Sequence, residues 1–93
     1  MTDKNKPAQE SLIEYPCRFP IKVMGLHETS FVESIVAVVR QHDPEFDAAT
    51  LEHRPSSTGK YLGLTITVTA TSREQLDNLY RALTGHPHVR YVL

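Results

Sequence analysis

Residues 62–70 read LGLTITVTA, and in them Leu62, Leu64, Ile66, Val68 and Ala70 alternate with Gly63, Thr65, Thr67 and Thr69. Successive side chains of a strand point to opposite faces, so one face of this segment is aliphatic and the other is largely threonine. An alternation of this length, with this β-branched content, predicts a central strand that packs on one side and is open or thinly covered on the other.

The flanking segments carry signals of their own. Cys17 to Leu26, CRFPIKVMGL, alternates Phe19, Ile21 and Val23 against Arg18, Lys22 and Met24, the pattern of a half-buried strand with Gly25 permitting a sharp exit. Ser30 stands three residues before Glu33, the spacing of a capping box, and predicts a helix start. In that helix Phe31, Val32, Ile35, Val36 and Val39 form an apolar stripe, with Glu33, Ser34, Arg40 and Gln41 outside. Its valines alone favour a strand, but the periodicity and the cap decide for helix, and Pro44 ends it. Thr50 to Pro55, carrying Glu52, His53 and Arg54, reads as a short polar edge strand, and Ser56 to Gly59 supply the turn of a hairpin. Beyond the central strand, Ser72 before Gln75, or Thr71 before Glu74, caps a second helix whose stripe is Leu76, Leu79, Tyr80 and Leu83. Gly85 and Pro87 stop it, and His88 to Leu93 form the last strand.

This order of elements predicts an α+β, ferredoxin-like βαββαβ fold: a four-stranded antiparallel sheet of order 4-1-3-2 with both helices on one face. Residues 1–11 read as a flexible polar tail and residues 12–93 as a single domain. The topology also makes neighbours of three loops, Gly25 to Glu28, Pro55 to Lys60 and Gly85 to His88.

Ten Lys and Arg against eleven Asp and Glu give the 93-residue chain a net charge of −1, so no overall attraction draws it to nucleic acid or anionic lipid. A single cysteine, Cys17, leaves no internal disulfide, and the opening MTDKNKPAQESLIE lacks the apolar core of a secretion signal. With no apolar run of membrane-spanning length, the expectation is a cytoplasmic protein that binds neither nucleic acid nor membrane and needs no cofactor.

Lys22-Val23-Met24-Gly25, Pro55-Ser56-Ser57, Gly59-Lys60-Tyr61, Thr65-Ile66-Thr67-Val68-Thr69-Ala70, Leu79-Tyr80 and Val89-Arg90-Tyr91-Val92-Leu93 follow one another in an order and spacing that resembles the YbeD-like family of small bacterial proteins. The resemblance covers about residues 14–93. It implies a ferredoxin-like domain similar to ACT-type regulatory modules, with a suggested link to lipoate metabolism. It implies no catalytic residues.

Two candidate sites follow from the residues. Ser56, Ser57 and Lys60, beside the start of the first helix, form a possible anion site at the loop end, since helix termini favour negative charge. Lys22, Met24, Thr65, Thr67 and Thr69, with Tyr61 beside them, form a mildly polar open face suited to a partner. His27, His86 and His88 gather at one end with Glu28, but they sit in loops without ligand spacing and read as exposed histidines rather than a metal site. Cys17 has no sequence context for an activating base. An acylphosphatase of this fold calls for an arginine in the first strand–helix loop, which here reads Gly-Leu-His-Glu-Thr, and an RRM calls for stacking aromatics where Thr65, Thr67 and Thr69 stand. The leading expectation is therefore a non-enzymatic regulatory or adaptor domain that binds a protein partner or small effector. Small-anion or metabolite sensing at the loop end is the alternative, and an enzyme of unrecognised type is third.

Overall fold

The computed structural model describes residues 14–93; the predicted tail over residues 1–11 lies outside them. Strand β1 runs over Cys17–Leu26, helix α1 over Thr29–His42, strand β2 over Glu52–Pro55, strand β3 over Tyr61–Ala70, helix α2 over Arg73–Thr84 and strand β4 over Val89–Val92. A short 3-10 turn, Ala48–Thr50, precedes β2. The sheet order is β2-β3-β1-β4, antiparallel throughout, which is the predicted 4-1-3-2 order read from the other edge.

The alternation in β1 and β3 is what joins sheet to helices. The two strands pair without a break from Cys17 opposite Ala70 to Leu26 opposite Tyr61, so their aliphatic faces coincide. Ile21, Val23, Leu62, Leu64, Ile66, Val68 and Ala70 are buried on that face against Phe31, Ile35 and Val39 of α1 and Leu76, Leu79 and Leu83 of α2. Phe46, from the loop after α1, completes the core and carried no periodic signal in the sequence.

Three local expectations change. Helix α1 begins at Thr29 with Glu28 as N-cap and no side-chain cap, so Ser30 lies inside the first turn and the Ser30–Glu33 box does not form. Entry into the helix is fixed instead by neighbours: His27 N–H donates to the Lys60 carbonyl at 2.9 Å and Phe31 N–H to the Glu28 carbonyl at 3.0 Å. Gly25 does not release the chain from the strand, which continues through Leu26. It serves a close approach, because a Cβ there would collide with the Phe31 ring and the His88 carbonyl. Strand β2 starts at Glu52 rather than Thr50, since Asp47 draws Ala49 N–H into the preceding turn at 2.9 Å. At α2 the Ser72 reading holds: its hydroxyl accepts from Gln75 N–H at 3.0 Å.

Candidate functional site

Both helices pack on one side of the sheet, and the other side is arranged in cross-strand rows. Arg54, Gly63, Met24 and Tyr91 make one row; Glu52, Thr65 and Lys22 make the next, which Leu93 extends by exchanging backbone hydrogen bonds with Lys22. Pro20 faces Thr67, and Arg18 faces Thr69, whose hydroxyl accepts from the Arg18 guanidinium at 3.0 Å.

Gly63, in the middle of the first row, has no side chain and leaves a depression of about 280 Å³ bordered by Lys22, Met24, Glu52, Arg54 and Thr65. A second depression of about 320 Å³ adjoins it, formed by Met24, Ser56, Tyr61, Arg90 and Tyr91. Met24 and Tyr91 belong to both, and Tyr91 is 50% exposed. The Lys60 ammonium and the Arg90 guanidinium lie over the Tyr61 ring, at 5.6 and 5.8 Å from its centroid.

The structure divides the two predicted sites and joins parts of them. Of the partner face, Lys22, Met24 and Thr65 border the first depression, whereas Thr67 and Thr69 lie farther along the sheet, beyond both depressions. Of the anion set, Ser56 turns to the open face, where its hydroxyl accepts from Tyr61 N–H at 3.1 Å. Lys60 presents its carbonyl to the loop before α1 and its ammonium to Tyr61, while Ser57 is exposed in the hairpin. The Ser56 hydroxyl and the Lys60 ammonium are thus turned to Tyr61, and of Lys60 it is the carbonyl that meets the loop before α1.

The three loops meet as the topology requires, with Leu26 N–H donating to the His88 carbonyl at 3.2 Å and His27 Nδ1 3.1 Å from the Gly59 carbonyl. The His86 and His88 rings stand edge to face, 5.6 Å apart, and His86 Nδ1 accepts from His88 N–H at 3.1 Å. Burial, and after it the charge of His88, lowers the His86 pKa below its ordinary value. Among the described residues no three His, Cys, Asp or Glu side chains gather in a way that holds a metal ion, and Cys17 is a half-buried free thiol. No helix among them is long and apolar enough to cross a membrane.

Sequence reasoning missed Arg54, Arg90 and Tyr91. Arg54 was visible only as an edge charge, and pairing register alone places it beside Gly63. Register also exposes what the net charge of −1 conceals. Arg18, Lys22, Arg54, Lys60 and Arg90 lie on or beside the open face, where the Glu52 carboxylate borders the first depression. Glu28, Glu33, Asp43, Glu45, Asp47, Glu74 and Asp77 belong to the helices and the loop after α1, with Arg40, Arg73 and Arg81 among them.

Comparison with known proteins agrees with this architecture. A solution structure of protein HP0495 from H. pylori superposes with a TM-score of 0.72 at 15% identity, over 87% of this chain and 85% of that one. The ACT domain of a GTP pyrophosphokinase from Chlorobium tepidum superposes at 0.59, again at 15% identity, over 84% and 96%. At that identity both establish the fold alone. Among curated sequences, a UPF0250 protein of Janthinobacterium is 68% identical over 90% of this chain and 92% of its own length. One from Ralstonia nicotianae is 62% identical over the whole of both. The model of a family described as protein of unknown function (DUF493) matches residues 10–93. The chain belongs to this DUF493 family, whose curated relatives are the UPF0250 proteins and which is the YbeD-like family its motifs resemble.

Proposed function

We propose that this chain is a non-enzymatic regulatory or adaptor domain that docks a protein partner on its open sheet face. The observation that carries the proposal is the pair of adjoining depressions around Met24, on a face that no element of the described chain covers. Met24 and Tyr91 supply apolar contact at the centre, and Lys22, Glu52, Arg54 and Thr65 supply polar contact around it, the division of labour found in protein interfaces. Fold kinship with an ACT domain supports a regulatory role by analogy of architecture. A link to lipoate metabolism belongs to the same proposal and rests on the family resemblance alone.

Gly63→Ile tests the proposal. A Cβ at Gly63 meets nothing closer than the Met24 methyl at 3.4 Å, so the backbone there admits a β-carbon and a larger side chain projects into the depression; unchanged melting of the variant checks that the sheet is intact. Affinity capture from a bacterial lysate should lose specific partners with this variant, and identical profiles for it and the wild type would remove the face from consideration.

A second reading has its own support. The depression of about 320 Å³ holds Ser56 and Arg90 beside the Tyr61 and Tyr91 rings, a size and chemistry suited to a small carboxylate effector. Titration with phosphate, citrate and lipoate should then shift the amide resonances of Ser56, Tyr61 and Arg90, and flat titrations at millimolar concentration would dismiss it.

A further inference from the structure

Charge on this molecule is sorted by face. The open sheet carries Arg18, Lys22, Arg54, Lys60 and Arg90, while most carboxylates sit on the helices and the loop after α1. The cations of the sheet are largely unpaired: among the described residues Lys22, Arg54, Lys60 and Arg90 have no carboxylate within ion-pair distance, whereas on the helices Arg73 lies 3.7 Å from Asp77. Lys60 and Arg90 both lie against one ring, Tyr61, which with Arg90 lines the second depression. Such an arrangement raises the local potential of a face whose centre is Met24 and the half-exposed Tyr91.

We infer that the occupant of the open face is an acidic segment of a partner protein, whose carboxylates meet Lys22, Arg54, Lys60 and Arg90 while one aromatic or aliphatic side chain enters the depression between Met24, Tyr61 and Tyr91. The inference rests on the docking reading above and adds the chemistry of what docks. Complementary charge steers encounter and fixes orientation, and the apolar anchor supplies the desolvated centre that charge alone does not. A nucleic acid fits less well. Its bases need free aromatic faces on the central strands, where this chain has Lys22, Met24, Gly63 and Thr65, and Tyr61 is already engaged by two cations. The acidic helix side of a second copy is the competing occupant of protein type, but stacking of that kind is head to tail and has no built-in closure.

Selection of binders from a random displayed-peptide library with the full chain as bait tests the inference. Enriched peptides should be rich in Asp and Glu around one Phe, Trp or Leu. As synthetic peptides they should bind at least about tenfold more weakly to the double variant Arg54→Glu, Arg90→Glu than to the wild type, and should weaken as salt rises from about 50 to about 300 mM. Both substitutions are on exposed side chains, and unchanged melting of the double variant separates lost binding from lost fold. Neutral or basic winners that Gly63→Ile still blocks would overturn the acidic partner and leave sheet-face docking standing. Winners indifferent to Gly63→Ile and to the double variant, or no winners, would overturn both. Tighter binding of oligo(dT) than of any peptide, or self-association in sedimentation that the double variant abolishes, would assign the face to nucleic acid or to a second copy and overturn the inference.

Discussion

Ile66 and Thr67 are neighbours in sequence and opposites in environment. Ile66 is wholly buried beneath the helices, whereas Thr67 lies half-exposed on the open face. Ile66→Ala should cost about 2–5 kcal/mol in urea denaturation, the range for leaving a cavity in a packed core, and Thr67→Ala less than about 1 kcal/mol. Equal costs would mean that the faces of β3 are assigned the wrong way round. This much was legible in LGLTITVTA because a period of two admits only two faces. The role of Gly25 was not legible, since what it must avoid, the Phe31 ring and the His88 carbonyl, comes from later parts of the chain. Gly25→Ala should destabilise by about 1–3 kcal/mol, the usual cost of overpacking, and an unchanged denaturation midpoint would show that the crowding is relieved.

His86 gives the same scale a pH dependence. Its Nδ1 must keep a lone pair to accept from His88 N–H, and burial with the nearby His88 charge lowers its pKa below the ordinary imidazole value. A group whose folded pKa is depressed releases its proton more readily in the folded chain than in the unfolded one. Its contribution to stability is then complete above the unfolded value and is lost as pH falls through that value toward the lower folded one. His86→Asn retains an acceptor for the turn and removes the titration, so its melting temperature should fall less between pH 7 and pH 5 than that of the wild type. A parallel decline in both proteins would contradict this account.

At the scale of elements, β3 outlasts its neighbour. Strand β2 pairs only with Leu62 to Thr65, and at Thr69 two side chains take the place of a strand. The Asp43 carboxylate, on a residue only 6% exposed, accepts from Thr69 N–H at 2.9 Å. The Gln75 amide donates to the carbonyls of Thr69 at 3.1 Å and His42 at 2.8 Å, and its oxygen accepts from Thr71 N–H at 2.6 Å. Asp43 and Gln75 thus tie the end of α1, the end of β3 and the start of α2 together. Asp43→Ala and Gln75→Ala should each cost about 1–3 kcal/mol by leaving buried backbone groups unsatisfied, with the double variant costing less than the sum because both serve Thr69. Strict additivity would show that the two act independently. Gln75 could be read from sequence as a capping residue, because caps are local. Its reach to His42 could not, and neither could the failure of Ser30 as a cap, which follows from the tertiary hydrogen bond between His27 and Lys60.

For the whole molecule, element order was sufficient to give the 4-1-3-2 sheet, because few un-knotted right-handed paths exist for βαββαβ. The candidate site was legible only in part: Lys22, Met24 and Thr65 follow from alternation, while Arg54, Arg90 and Tyr91 enter through register across strands distant in sequence. Charge segregation was invisible for the same reason, since a net charge of −1 does not say which face holds which sign. The direct question is therefore which face a partner covers. Carbene footprinting of the full chain, free and in complex with a partner captured from lysate, answers it. Labelling should fall at Lys22, Met24, Arg54, Tyr61 and Tyr91 and stay constant at Glu33, Arg40, Asp77 and Arg81 on the outer sides of the helices; protection of the helices with an unprotected sheet would contradict the account.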